Sequence, residues 1–250
     1  MIENSEVHYV RPLRIINRIT PPVLWDLAKR LLGRGAEDSV PPFVDVSVGS
    51  FSQFGEDLVI DAILGSPPNG VYVDVGANDP SILSNTQRFY RRGWRGVNIE
   101  PNTALCDELE RQRPEDVNLN IGIASEAGTL VFYRMEPSTL STFDSRAVKD
   151  NLAHPGARLA EEVSVAVAPL SRVFDAHLEG RAVDFLSVDT EGLDLTVLQS
   201  NDWVRHRPKL VLVEIAWSGS DIVEYLSDQH YALVWSNGVN GIFADSDRGR

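Results

Sequence analysis

The sequence predicts an α/β protein with a doubly wound, mostly parallel sheet of seven strands, an antiparallel C-terminal hairpin and an N-terminal helical arm. Three observations predict this fold. From residue 50 onward, short apolar runs alternate with helical segments, as in a parallel sheet covered on both faces. Two apolar runs near the C-terminus flank a turn-rich insert. An amphipathic segment, followed by a proline-containing linker, precedes residue 46.

Length, charge and cysteine content limit the classes of function. The chain has 250 residues, of which 43% are hydrophobic, which is enough to form a buried core. The formal net charge of −13 repels polyanions, so we expect no nucleic-acid partner. Its one cysteine, Cys106, cannot form an internal disulfide, and the N-terminal stretch lacks the apolar core of a signal peptide or membrane span. We expect a cytoplasmic protein without a transmembrane segment.

Residues 1–45 are predicted to form a helical arm and linker, and residues 46–250 the main domain. In the arm, a Pro-Pro pair precedes apolar residues at helical spacing, and glycines follow them. The apolar residues are Val23, Leu24, Leu27, Leu31 and Leu32. We expect this helix to pack on the main domain or on a second subunit, and a homodimer is therefore an expectation. The alternative is a membrane-surface or substrate-gripping role.

Eight apolar runs in the main domain are predicted as strands, with helical segments of two to three turns between them. The strands are 71–75, 96–99, 117–123, 129–133, 183–188, 210–215, 231–235 and 241–244, and the helices include 84–92, 103–113 and 193–200. The insert Ser-Asn-Gly-Val-Asn at 236–240 is typical of a hairpin turn. The last two strands should therefore be antiparallel and close one edge of the sheet.

The first strand leads into a turn that is typical of nucleotide-binding α/β proteins. Asp74 lies in the strand and Gly76 begins the turn, where a glycine lets the backbone approach a ligand beyond the strand end. About 25 residues later, Glu100 ends the next strand, at the spacing that lets a carboxylate accept hydrogen bonds from both ribose hydroxyls. The alternative is that Asp74 caps a helix and Glu100 is a solvated strand end.

The composition of this turn favours a cationic cofactor over a dinucleotide. A pyrophosphate-binding turn needs three glycines, whereas residues 76–80 contain one glycine and the acid Asp79. S-adenosylmethionine has no phosphate and carries a sulfonium and an ammonium, so acidic groups suit it. We therefore predict S-adenosylmethionine as the cofactor. The alternative is a nicotinamide oxidoreductase, but the turn lacks the glycines that a dinucleotide would need.

Four motifs, in this order along the chain, resemble those of the FkbM family of methyltransferases. They are Ser52-Gln53-Phe54-Gly55-Glu56-Asp57, Val73-Asp74-Val75-Gly76-Ala77-Asn78, Gly93-Trp94-Arg95-Gly96 leading to Ile99-Glu100-Pro101, and Asp184-Phe185-Leu186-Ser187-Val188-Asp189-Thr190-Glu191-Gly192. The resemblance covers about residues 50–245. Many family members have a glycine two residues after Asn78, where this chain has Pro80. Within the family, the arginine-rich chain is similar to actinobacterial sugar methyltransferases.

The resemblance implies a Rossmann-like fold of the class I methyltransferase type and methylation of hydroxyls on sugars, glycolipids or macrolide-type products. It also implies which residues contact the donor. These are Asp74, Gly76, Ala77, Asn78, Glu100 and Pro101, with Gln53 and Asp57 nearby and Ile123 and Ser125 beside the adenine.

A hydroxyl acceptor needs a general base, a divalent cation or both, because its pKa lies far above 7. Asp189, Glu191 and Glu214 follow or end neighbouring strands and are predicted to converge as catalytic residues. Carboxylates so close repel one another unless a cation or a shared proton intervenes, which predicts Mg²⁺ held by Asp189 and Glu214. The alternative is that Asp189 and Glu191 cap the next helix and that Glu214 pairs with a distant arginine.

His154 lies in a polar, turn-prone insert and is a further candidate for accepting the hydroxyl proton, although a loop histidine is more often solvated. Trp217 and Trp235 either stack on a sugar face or pack in the core. The leading prediction is an O-methyltransferase for a sugar or glycoside. The alternatives are a methyltransferase for a polyketide or peptide metabolite and a donor-binding module without catalysis.

Overall fold

A computed structural model describes residues 49–216 and 219–247. Its main sheet has seven strands, which confirms the predicted doubly wound α/β fold. The strands are β1 (Val71–Val75), β2 (Arg95–Ile99), β3 (Val117–Leu119), β7 (Phe185–Val188), β8 (Leu210–Glu214), β9 (Tyr231–Ser236) and β10 (Asn240–Asp245). They lie in the order β3-β2-β1-β7-β8-β10-β9. The predicted arm, residues 1–45, lies outside the described residues.

The five neighbouring strands β3, β2, β1, β7 and β8 are parallel to one another. Strand β10 is antiparallel to both of its neighbours, β8 and β9. The C-terminal hairpin is therefore confirmed, and its strand β9 forms the edge of the sheet. The chain reaches this arrangement because each parallel pair needs a crossover, whereas β9 and β10 are joined by a short turn.

A second, three-stranded sheet corrects two of the predicted strands. Its strands are β4 (Gly122–Ile123), β5 (Gly128–Glu136) and β6 (Arg158–Ala168), in the order β4-β6-β5. The run 117–123 was predicted as one strand, but it divides between the two sheets. The run 129–133 was predicted within a repeated parallel βαβ pattern, but it belongs to β5, which pairs antiparallel with β6.

Helices cover both faces of the main sheet, as the near-continuous apolar strands require. They are α1 (Glu56–Ile63), α2 (Gln87–Arg92), α3 (Thr103–Gln112), α5 (Leu170–His177), α6 (Asp194–Gln199) and α7 (Gly219–Asp228), whereas α4 (Ser145–Asn151) lies in the insert between β5 and β6. Two buried apolar clusters lie on opposite faces of the sheet, and neighbouring residues of β1 belong to different clusters. Tyr72 packs with residues of α1 and α2, and Val73 packs with residues of α5, α6 and α7. No helix in the described ranges is long and apolar enough to cross a bilayer.

The register of the parallel strands brings the predicted site residues to one edge of the sheet. Val75 is level with Ile99 on one side and with Val188 on the other, and Val188 is level with Val213. The residues that follow these positions therefore emerge side by side. Parallel strands place ligand-binding residues at their carboxyl ends for this reason.

Candidate functional site

A cavity of about 560 Å³ opens at the carboxyl ends of β1, β2, β7 and β8, and part of the 138–154 segment lines it from the other side. This volume lies within the range of small-molecule sites. Most of the predicted site residues line the cavity: Gln53, Asp74, Gly76, Ala77, Asn78, Glu100, Pro101, Ile123, His154, Asp189, Glu191 and Glu214. Asp57 and Ser125 do not line it.

Gly76 forms the tight turn that joins β1 to the cavity floor. Its φ is +79°, a left-handed conformation that favours glycine, and a Cβ at this position would overlap the backbone carbonyl oxygen of Asp189. The amides of Gly76 and Ala77 donate to the carbonyl oxygen of Ile99, at 2.9 and 3.2 Å. The glycine thus lets the turn pack directly against the end of β7, which brings the β1 and β7 ends of the cavity together.

Glu100 is fixed at the end of β2 by two backbone amides. Asn78 N donates to one carboxylate oxygen at 2.7 Å, and Asn102 N donates to the other at 2.8 Å. Burial raises the pKa of Glu100 to about 7, although both amides oppose the shift. The same two bonds tie the β1 turn to the start of α3.

Asp74 lies inside β1 and reaches the cavity from the α2 side of the sheet. Thr86 Oγ1 donates to Asp74 Oδ2 at 2.7 Å. Burial raises the pKa of Asp74, and the Thr86 hydroxyl and the positive charge of Arg113 oppose this shift. The carboxylate is therefore held in a defined orientation by a neutral donor and by a buried cation behind it.

Asp57 lies beside the site and orders the chain segment that carries Gln53. Its carboxylate accepts hydrogen bonds from Ser50 Oγ at 2.6 Å, Ser52 Oγ at 2.9 Å and Phe51 N at 3.0 Å, and Arg88 Nε lies 3.3 Å away. Ser125 is exposed beyond β4. These contacts give Asp57 a supporting place, while Gln53 and Ile123 face the cavity.

Three carboxylic acids share the cavity wall at the ends of β7 and β8. Asp189 and Glu191 follow β7, and Glu214 ends β8. Removal of solvent by the cavity walls raises the pKa of Asp189 well above its usual value, and the negative charges of Glu191, Asp194 and Glu214 raise it further. Asp189 is nevertheless exposed, because it faces the open cavity.

Glu191 is only partly buried, and its pKa is raised to about 8, first by desolvation and then by the charges of Glu214 and Asp194. Its backbone has a φ of +52°, and its carbonyl oxygen accepts from Thr142 Oγ1 at 2.9 Å. The acids therefore lie close enough to affect one another: Glu191 and Glu214 raise the pKa of Asp189, and Glu214 raises that of Glu191.

The described side chains give no support to the predicted magnesium site. In residues 49–216 and 219–247, no group of three or more His, Cys, Asp or Glu side chains is arranged to hold a metal ion. Protonation removes the negative charge of a carboxylate, so bound protons can relieve the repulsion between the acids without a cation. Asp194, which was not predicted as a site residue, stabilises the turn that precedes it by accepting from Thr190 N at 2.9 Å.

The insert between β5 and β6 covers the cavity and contacts both halves of its floor. Ser138 Oγ donates to Asn78 Oδ1 at 3.1 Å, and Thr142 reaches Glu191 as described. The rings of Phe132 and Phe143 pack at 4.8 Å between centroids, and both line the cavity. His154 is exposed and lines the cavity from the same insert.

Trp235, one of the two candidates for sugar stacking, does not line the described cavity. Trp235 is partly buried against the core cluster on the α1 and α2 face. Trp217 lies outside the described residues. Sequence reasoning also missed cavity residues that carry no charge, namely Asn85, Ser187, Phe132 and Phe143, and the buried Arg113 behind the site.

Comparison with protein families identifies a domain that this chain resembles. The family described as the methyltransferase FkbM domain matches residues 74–233. Comparisons with curated proteins and with solved structures gave no match. The matched range begins at Asp74, includes the ends of β1, β2, β7 and β8, and spans well over half of the chain. The protein therefore belongs to the FkbM family of S-adenosylmethionine-dependent methyltransferases.

Proposed function

We propose that this protein is an O-methyltransferase that transfers the methyl group of S-adenosylmethionine to a hydroxyl of a sugar, oligosaccharide or glycoside. The observation that carries the proposal is Glu191, a carboxylate on the cavity wall whose pKa is raised to about 8. A base with a pKa near the working pH suits removal of a hydroxyl proton. An amine acceptor would need no such base once it is deprotonated.

The donor side of the cavity is formed by Glu100, Asp74 and the turn at Gly76. Bound there, S-adenosylmethionine supplies an activated methyl group on a cationic sulfonium. The acid-rich wall suits that charge, and the volume of about 560 Å³ suits a ligand of this size. Glu100 would accept from the ribose hydroxyls, and Ile123 would lie beside the adenine. Asp74 and the turn at Gly76 would face the amino-acid part.

On the acceptor side, Glu191 accepts the hydroxyl proton, and Asp189 orients the hydroxyl by a hydrogen bond. Glu214 keeps the pKa of both groups raised by its negative charge. His154 is the second candidate for the proton, because it lines the cavity from the opposite side. Holding the hydroxyl in line with the methyl group supplies much of the acceleration in such a reaction.

The covering insert supports a carbohydrate acceptor. It presents hydroxyl and amide side chains to the cavity, together with the rings of Phe132 and Phe143. The polar residues are Ser138, Thr139, Ser141 and Asn151. Hydroxyl-rich sugars have polar edges and apolar ring faces, and both kinds of surface are matched here.

A polyketide or peptide metabolite is the second candidate acceptor, favoured by the apolar rim of the cavity. Ile82 is 67% exposed and Leu83 is 49% exposed, and both line the cavity. An apolar acceptor would bury these side chains on binding.

Two measurements test the proposal. Calorimetry should show binding of S-adenosylmethionine and S-adenosylhomocysteine and none of NAD. A screen with isotope-labelled donor should then show methylation among mannosides, rhamnosides or lipid-linked glycans. Donor binding without methylation of any acceptor class would favour a non-catalytic module. Methylation of apolar metabolites alone would favour the second candidate.

Chelation of divalent cations tests whether a bound cation or bound protons relieve the repulsion among the carboxylates. We expect full turnover in excess EDTA, because the described side chains offer no metal-binding group of three. Loss of turnover that returns on adding Mg²⁺ would instead support the cation predicted from the sequence.

A further inference from the structure

Arg113 is a buried arginine directly behind the donor side of the cavity. It follows α3, and its side chain is among the largest fully buried ones in the described chain, with 1% of the residue exposed. A guanidinium remains charged under all ordinary conditions, so its burial is costly unless the charge has partners. The contacts of Arg113 therefore identify what its burial organises.

The guanidinium of Arg113 donates hydrogen bonds to three neutral oxygens in one short segment. Nη1 donates to Thr86 Oγ1 at 2.7 Å, and Nη2 donates to Ser84 Oγ at 2.8 Å and to the carbonyl oxygen of Pro80. Ser84 and Thr86 are also buried. One side chain thus fixes the 80–86 segment at its beginning and at its end.

The 80–86 segment forms part of the cavity wall. Ile82, Leu83 and Asn85 line the cavity, and Asn85 Nδ2 donates to Ser187 Oγ at 3.1 Å. Leu83 has a φ of +56°, which is a strained conformation for a leucine and needs support from its surroundings. The bonds of Arg113 on both sides of Leu83 supply that support.

Thr86 passes the effect of Arg113 on to Asp74. A guanidinium can only donate, so Thr86 Oγ1 must accept from Arg113, and its own proton is left to point at Asp74 Oδ2, 2.7 Å away. The relay therefore presents a fixed hydrogen-bond donor to Asp74 and favours its ionised form. The charge of Arg113 acts on Asp74 in the same sense.

We infer that Arg113 is a positioning residue for the methyl donor, which acts through Thr86 and the 80–86 segment to hold Asp74 and the adjoining cavity wall in the binding geometry. This inference rests on the proposed donor site. It places a determinant of donor affinity on a side chain that does not line the cavity.

The relay can be cut at Thr86 with little change of shape. Thr86→Val removes the hydroxyl and keeps the volume, whereas Thr86→Ser keeps the hydroxyl. By calorimetry with S-adenosylhomocysteine, Thr86→Val should weaken binding about tenfold, as expected for loss of a hydrogen bond to a charged group. Thr86→Ser should bind within about twofold of the wild type, because the relay is retained. A merely structural role would not separate the two variants in this way.

Arg113→Met should weaken donor binding more than Thr86→Val, since it releases the whole 80–86 segment. The matched control is Arg111→Met, two residues earlier, in α3, where the side chain is 69% exposed and pairs with Glu108. If Arg113→Met does not fold, the two Thr86 variants alone decide the question.

The outcomes distinguish the inference from the function on which it rests. Failure of the wild type to bind S-adenosylhomocysteine would overturn the donor site and this inference together. Wild-type binding with equal affinity in Thr86→Val would overturn the inference alone.

Discussion

At the scale of single residues, Glu191 combines a strained backbone with a raised pKa, which is typical of functional positions. We expect Glu191→Gln to lower kcat by two orders of magnitude or more and to leave donor affinity within about twofold, as for loss of a general base. Wild-type turnover should rise with pH and level off above about 8, where Glu191 is ionised.

Glu179→Gln is a matched control for this change, because Glu179 has a φ of +51° and is exposed on the surface. It should leave turnover unchanged. The pH–rate profiles of the three proteins provide the check, and an unaltered profile in Glu191→Gln would remove Glu191 from the proton transfer. Asp189→Asn should also abolish turnover while donor binding persists, because the carboxyl that orients the acceptor hydroxyl is lost.

Ionisation of Glu191 is expected to lower the stability of the fold at high pH. Its pKa rises from 4.5 in the unfolded chain to about 8 in the folded protein, so the folded state binds more protons between these values. Stability should therefore fall as pH rises through this window. Glu191→Gln removes this dependence, so its Tm should exceed that of the wild type at pH 9 and equal it near pH 4. Thermal unfolding at both pH values measures the difference, and equal Tm values at pH 9 would contradict it.

Gly76 is the residue for which the structure gives the sharpest steric argument. Gly76→Ala adds a Cβ that would overlap the carbonyl oxygen of Asp189 and also requires a left-handed alanine. We expect destabilisation of about 2–4 kcal/mol and loss of donor binding, because the β1 turn must move away from β7.

Gly65→Ala separates the steric effect at Gly76 from the conformational one. Gly65 has a similar φ of +72°, but no atom lies within 4 Å of its added Cβ. Urea unfolding of both variants gives the comparison. Equal losses of stability would show that backbone conformation alone, and not the approach to Asp189, requires the glycine.

At the scale of secondary-structure elements, prediction succeeded where a local pattern decided the structure. The apolar runs of β1, β2, β7 and β8 are buried on both faces, and a continuous apolar run signals this situation directly. The hairpin of β9 and β10 was predictable for a similar reason, since its turn residues are local. The order of the parallel strands in the sheet follows from the crossover rules once these strands are recognised.

The second sheet was not predictable in the same way. Strand β6 has exposed or half-exposed residues along most of its length, so it lacks an apolar run, and it was missed. The break between β3 and β4 is set by which sheet each part joins, and pairing partners are a tertiary property. Helices α1, α4, α5 and α7 were likewise not assigned from the sequence.

Gly122 connects the second sheet to the covering insert, and its substitution tests what that contact does. A Cβ at Gly122 would lie 2.5 Å from Cζ of Phe143, so the ring would have to move. Gly122→Ala should cost about 1–3 kcal/mol of stability and raise the KM for the acceptor more than that for the donor, because Phe143 lines the covering side. Gly128→Ala, where the added Cβ has no neighbour within 4 Å, is the control. Equal effects on both KM values would show that the insert does not contact the acceptor selectively.

At the scale of the whole molecule, the site could be located from the sequence, but its supporting contacts could not. Gly76, Glu100 and Asp189 follow apolar strands and Asp74 lies near the end of one, and parallel strands must deliver them to one edge. The role of Arg113 was invisible, because nothing local to position 113 indicates that its side chain turns inward to the 80–86 segment. Whether neighbouring acids form a metal-binding group of three likewise depends on side-chain geometry rather than on spacing, and the described acids form none.

The charge of the cavity predicts which acceptors the enzyme refuses. Six acidic residues line the cavity, and among its described lining residues there is no lysine or arginine. The acidic residues are Asp74, Asp79, Glu100, Asp189, Glu191 and Glu214. Above about pH 8, where Glu100 and Glu191 are ionised, these residues and the net charge of −13 create a negative potential that a cationic donor offsets only in part.

A phosphate or carboxylate on the acceptor would meet that potential at close range. Two like charges about 8 Å apart cost about 2 kcal/mol at an effective dielectric constant near 20, so a phosphorylated or uronate analogue should show kcat/KM at least about tenfold below that of its neutral parent sugar. The difference should shrink as salt is raised from about 0.05 to 0.5 M, because ions screen the partly open cavity, whereas a purely steric exclusion would persist. An amine-bearing analogue of similar size serves as the control and should match or exceed the neutral sugar. An anionic acceptor that is methylated as well as its neutral parent at low salt would contradict the prediction, because the acids lining the cavity would then exert no net repulsion on the bound acceptor.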